Sequence, residues 1–238
     1  MSDAQADFLR EAVNLARSGK SAKALEVLLA HPAPDGHSTS GLYHYTLGNL
    51  LFESGNPGRA LAHLEKARKL SSSSQNLEAL LSAAKSRAAS AAGTEALDRA
   101  SLPIERFTEH PLFLPLESCL SIIALLSSWS LWRNRSRSEA KQIPLLAACI
   151  WWVAAVTMLG MHFWSLRHPP GRLIAATELR SGPGVDFLLS GNFPAGTEVR
   201  ILSSLNSDWT QVRVAPSVQG WIPSGNLLPL TTDSTTRN

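Results

Sequence analysis

The block YTLGNLLFESGNPGRALAHLEKARKL (Tyr45–Leu70) decides how the first third of the chain is read. Leu47 and Gly48 fall in a first apolar-periodic stretch, Gly55 sits at a turn, and Ala60, Leu64 and Ala67 fall in a second. Each position answers a physical need. Gly48 and Ala60 let two helices approach closely, Gly55 ends the first helix in a conformation that favours glycine, and the leucines fill the space between. Upstream, SGKSAKALEVLLA aligns with SGNPGRALAHLEKA: Gly19 with Gly55, Ala24 with Ala60, Leu15 with Leu51 and Leu28 with Leu64. The offset is 36 residues throughout. From Asp7 to about Ser90 the chain is therefore expected to form helical hairpins.

A period near 34 with small residues at helix crossings resembles the tetratricopeptide repeat, and the loop APDGHST absorbs two extra residues. The first unit is degenerate, with Ala12 where the second has Gly48. Gln75–Ser90, with Leu77, Leu80, Leu81 and Ala84 on one face, is expected to cap a short stack that is marginal by itself. The repeat resemblance implies a concave ligand face carrying Tyr45, Asn49 and Phe52, with the Asn49 amide able to bond a peptide backbone in both directions. The alternative is that the two rings pack on the first unit while Asn49 is solvated.

Two apolar runs follow, Leu112–Trp132 and Ile143–Leu166, joined by the basic turn RNRSRSEAKQ. About 20 apolar residues suffice to cross a bilayer core roughly 30 Å thick, so the runs are read as a transmembrane hairpin. Arg133, Arg135, Arg137 and Lys141 crowd the turn, whereas Arg106, Arg167 and Arg172 are spread over the outer flanks. The positive-inside rule then puts the turn in the cytoplasm and both flanking domains outside. Trp129, Trp132 and Trp164 suit interfacial belts. Glu117 and His162 fall within the runs, as do the only two cysteines, Cys119 and Cys149. There is no CxxC and no metal-ligand spacing, so neither a metal nor a cofactor is expected. Residues 1–30 show no basic segment ahead of an apolar core, so no signal peptide is visible. The net charge of +3 is too small and dispersed to argue for nucleic acid.

Beyond the runs, short β-branched segments are divided by Gly, Pro, Asn and Ser. Strands are expected at Leu173–Ala176, Gly196–Leu202, Trp209–Val214 and Gln219–Pro223, with a return at Asn226–Leu230. ELRSGPG (Glu178–Gly184), FPAGTEVRIL (Phe193–Leu202), WTQVRV (Trp209–Val214) and GWIPSGNL (Gly220–Leu227) together resemble a bacterial SH3 domain. That resemblance implies a small barrel in which Trp209 and Trp221 either close the structure or form a peptide-binding surface. The expected fold is multidomain. A tetratricopeptide-like solenoid spans 1–92 and a linker 93–111. A transmembrane hairpin spans 112–166 (helices 112–132 and 143–166), an SH3-like all-β barrel 173–230, and a disordered tail 231–238.

Taken with Tyr45–Leu70, this order of parts resembles the BatE proteins of the bacterial aerotolerance (Bat) group. The resemblance implies a two-pass protein of the bacterial inner membrane, held in the lipid bilayer with its domains in the periplasm. Its partners would be Bat-type von Willebrand factor A proteins and a MoxR-type ATPase, and no catalytic residues carry over. Family members usually begin with an export signal, which this sequence does not show. GxSxG, HExxH, the Walker loop and a helix-opening GxGxxG are all absent from the sequence, so an enzyme is not expected. Three roles follow: a scaffold in a Bat-type complex, a peptidoglycan-binding module whose repeats recruit a hydrolase, or a proton- or redox-linked function through Glu117, Cys119 or Cys149.

Overall fold

A computed structural model describes residues 3–31, 33, 37–70, 74–92, 113–133, 142–205 and 208–230. The helices are α1 (Asp3–Arg17), α2 (Ser21–Ala30), α3 (His37–Glu53), α4 (Pro57–Leu70), α5 (Gln75–Ala92), α6 (Phe113–Arg133) and α7 (Gln142–Arg167). The strands are β1 (Pro170–Leu173), β2 (Thr177–Arg180), β3 (Leu189–Phe193), β4 (Glu198–Leu205), β5 (Trp209–Ala215), β6 (Val218–Pro223) and β7 (Leu227–Pro229). They form two compact units, Met1–Ser101 with Pro169–Asn238, and Leu102–His168.

The 36-residue offset recurs in the hydrogen bonds that end α1 and α3. Lys20 N–H donates to the Leu15 carbonyl (3.0 Å) and Gly19 N–H to Ala16 (3.1 Å). Asn56 N–H donates to Leu51 (2.9 Å) and Gly55 N–H to Phe52 (3.2 Å), the same pair of closures one unit later. Gly19 and Gly55 hold φ of +76° and +79°, where a Cβ is disfavoured. Gly48 meets its need for close approach: a Cβ there would lie 2.7 Å from Leu64 Cγ and 3.2 Å from the Leu64 backbone nitrogen. One apolar core runs through the five helices, including Ala12, Ala24, Leu28, Leu47, Leu51, Ala60, Leu64, Ala67, Leu77 and Leu81. Ser74 Oγ accepts from Leu77 N–H and caps α5.

The strands form one antiparallel sheet in the order β3-β2-β6-β5-β4-β1-β7. The sheet is open. β3 pairs only with β2, β7 only with β1, and no ladder joins these two edges among the described residues. The expected SH3-like barrel is therefore corrected to an open seven-stranded sheet. Two strand placements change with it. The first strand ends at Leu173 where one was expected to begin, because Pro170–Arg172 pair with Arg200–Glu198 of β4. The SGPG block sits between β2 and β3, neither of which is among the strands expected from the sequence. Leu173, Leu179, Val199, Val212, Val214 and Ile222 fill the sheet's core face.

The expected transmembrane hairpin is also corrected. Residues 113–133 and 142–167 are helical, but among the described residues no helix is long and apolar enough to cross a membrane. The placement as a two-pass inner-membrane protein with periplasmic domains is corrected on the same finding. Within this unit, α6 and α7 pack on each other, and Trp152 Nε1 donates to Ser128 Oγ (2.7 Å). The linker 93–111, the turn residues Arg135, Arg137 and Lys141, and the tail 231–238 lie outside the described residues.

Candidate functional site

Helix α4 explains how helices and sheet become one unit. Nearly every residue from Gly58 to Ala67 is buried, charged ones included, because α3 and α5 pack on it as do strands β1 and β7. On its sheet side, Glu65 accepts from Arg172 Nε and, at 2.8 Å, from Nη2; Arg172 also donates to the Gly196 carbonyl. The Arg172 and Glu65 side chains are 3% and 10% exposed. Lys66 Nζ donates to the Pro229 carbonyl at 2.7 Å. Such buried charges are tolerated only when their hydrogen bonds are made, and here α4 and the sheet supply them to each other. Backbone contact continues the junction. A Cβ on Gly58 would lie 2.3 Å from the Ala195 carbonyl oxygen, and one on Gly196 (φ +88°) 2.9 Å from Gly58 Cα.

At the N-terminal end of α4 this junction opens into a cleft of about 640 Å³. Its walls are the α3–α4 turn, the end of α5 at Ala88 and Ala91, the β1–β2 connection, the β3–β4 turn and the short 3-10 turn before β7. Most lining side chains are small, so backbone groups come close to the cleft surface. Three polar side chains line it: Asn56, Arg59 and Asn226. Among the described residues Arg59 is the one ionisable residue in the lining, and its Nε is buried with no hydrogen-bond partner. The volume falls in the usual range for ligand sites, roughly 300–1,000 Å³.

One turn beyond Arg59 on α4, His63 meets His44 of α3, Nδ1 to Nδ1 at 3.0 Å, with ring centroids 5.3 Å apart. One ring must donate and the other accept, so the two rings cannot both be charged. Burial, then the neighbouring His44 and Arg59, pushes His63 down to about 3. Burial, then Lys66, pushes His44 down to about 4.

The residues singled out from the sequence lie elsewhere. Tyr45 and Phe52 are partly buried against the helical core. The Arg87 guanidinium lies 4.4 Å over the Phe52 ring, and Asn49 Nδ2 donates to Glu53 Oε1 at 3.0 Å. Trp209 and Trp221 are half-buried on the sheet face opposite Val212 and Ile222, with Trp209 opposite Pro223 and Trp221 opposite Gln211. None of the five lines the cleft. Cys119 and Cys149 are exposed free thiols, while the side chains of Glu117 and His162 lie outside the described residues. No group of three or more His, Cys, Asp or Glu is placed to hold a metal among the described residues. Asn56 and Asn226 were missed because each sits in a Gly/Pro-rich turn that reads as ordinary punctuation, and Arg59 because it reads as a solvated charge in the first turn of α4.

Comparison with protein-family models, curated proteins and solved structures gave no match.

Proposed function

We propose that this chain is a non-catalytic adaptor that holds an extended segment of a partner protein in the cleft between α4 and the sheet. The cleft itself carries this reading: about 640 Å³ with small-residue walls and two side-chain amides. An amide offers both a donor and an acceptor, which is what a peptide backbone needs. Among the described residues the lining has no aromatic side chain on which a base or sugar ring would stack. The likeness of Tyr45–Leu70 to BatE repeats supports a scaffold acting beside other proteins. The test is calorimetric titration of the full chain with pooled acetylated pentapeptides, beside an Ala91→Trp variant that fills the cleft from an exposed position on α5. Saturable binding that Ala91→Trp abolishes is the expected result; binding unchanged by that substitution overturns the reading.

A further inference from the structure

We propose that the cleft selects segments carrying a carboxylate, which Arg59 binds. This rests on the cleft being the partner site and adds the chemistry of what enters it. Among the described residues Arg59 is the sole ionisable one in the lining, so no described acidic side chain of the cleft competes for it. Its side chain is partly exposed and lines the cleft, while its enclosed Nε has no hydrogen-bond partner. Arginine offers several donors in a planar fork, which suits the two oxygens of a carboxylate. The nearest acidic side chain along α4, Glu65, is engaged with Arg172. A second observation agrees: the positive charge of Arg59 reaches His63 and helps hold that ring neutral. An anion bound at Arg59 offsets this field, so occupancy is expected to raise the His63 pKa. The groups facing the histidine pair are Arg59 and Lys66 of α4 and Tyr43 of α3.

A carboxylate can come from an Asp or Glu side chain or from a chain terminus, so the test has two arms. The full chain is titrated with pentapeptide pools differing only as Asp/Glu against Asn/Gln, and separately as free acid against C-terminal amide. At least one carboxylate arm is expected to bind about tenfold tighter than its neutral counterpart, the usual margin for a charge-assisted hydrogen bond. Arg59→Gln is expected to erase that preference and Arg59→Lys to keep part of it. Equal affinity for charged and neutral pools, with Ala91→Trp still blocking both, overturns the carboxylate preference while leaving the adaptor reading intact. Binding of neither pool sinks both.

Discussion

Removing one member of the Glu65–Arg172 pair tests whether the helices and the sheet are energetically one body. In Glu65→Ala, a guanidinium whose side chain is 3% exposed loses both carboxylate oxygens and keeps the Gly196 carbonyl among its bonds. Leaving one half of a buried pair uncompensated costs about 3–5 kcal/mol, a large share of the roughly 5–15 kcal/mol available to a domain. With a urea dependence of about 2 kcal/mol per molar, the midpoint should fall by about 1.5–2.5 M. The assay is hydrogen exchange across a urea series, read by mass spectrometry on Pro57–Leu70 and on Trp209–Pro223 separately. Both segments should lose protection together and by the same midpoint shift. A double change, Glu65→Leu with Arg172→Met, should recover most of the loss, because an apolar pair of similar size leaves no buried charge. A shift below about 0.5 M, or one confined to a single segment, would refute the reasoning.

Other outcomes follow from the same geometry. Gly48→Leu should unfold the helical repeats, since even a Cβ lies 2.7 Å from enclosed Leu64; overpacking costs about 1–3 kcal/mol or more, and an unchanged melting curve would count against the helix crossing. Gly58→Ala should destabilise the helix–sheet junction by a similar amount of about 1–3 kcal/mol, because its obstacle is the Ala195 carbonyl rather than a side chain that can turn aside. The histidine pair makes stability fall on acidification. Both rings have folded-state pKa values below the free value of 6.5, at about 4 and about 3, so the unfolded chain binds more protons and stability rises with pH across that window. The two groups together should contribute a slope of roughly 2–3 kcal/mol per pH unit near pH 5, and His63→Gln should lower it to roughly half. An identical slope in wild type and variant would remove the pair as its source.

What was legible in the sequence was local. Gly19 and Gly55 announce helix ends because positive φ leaves few choices of residue, and Gly48 announces a crossing because Leu64 leaves no room for a side chain. The strand over Trp209–Val214 was legible from its alternation, with Thr210, Val212 and Val214 buried and their neighbours half-buried. The long-range features were not. Glu65 and Arg172 are 107 residues apart and each looks like a solvated surface charge until the sheet docks. His44 and His63 come from two different helices and show no ligand spacing. Openness of the sheet is decided by β1, whose pairing with both β4 and β7 places β7 at an edge; no residue in PGRL signals it. The apolar runs Leu112–Trp132 and Ile143–Leu166 read as two membrane spans, and among the described residues neither helix meets the length and apolarity a span requires. The cleft was invisible because its walls are residues of four separate turns and the end of α5, and only their convergence makes a site.

The most direct test of the adaptor account is to titrate isotope-labelled full-length chain with the carboxylate-bearing peptide pool and follow backbone amide shifts. The account predicts changes centred on Gly55–Arg59, Ala175, Ala195 and Asn226. Changes centred instead on Tyr45, Asn49 and Phe52, or on Trp209 and Trp221, would contradict it, as would a spectrum that does not move.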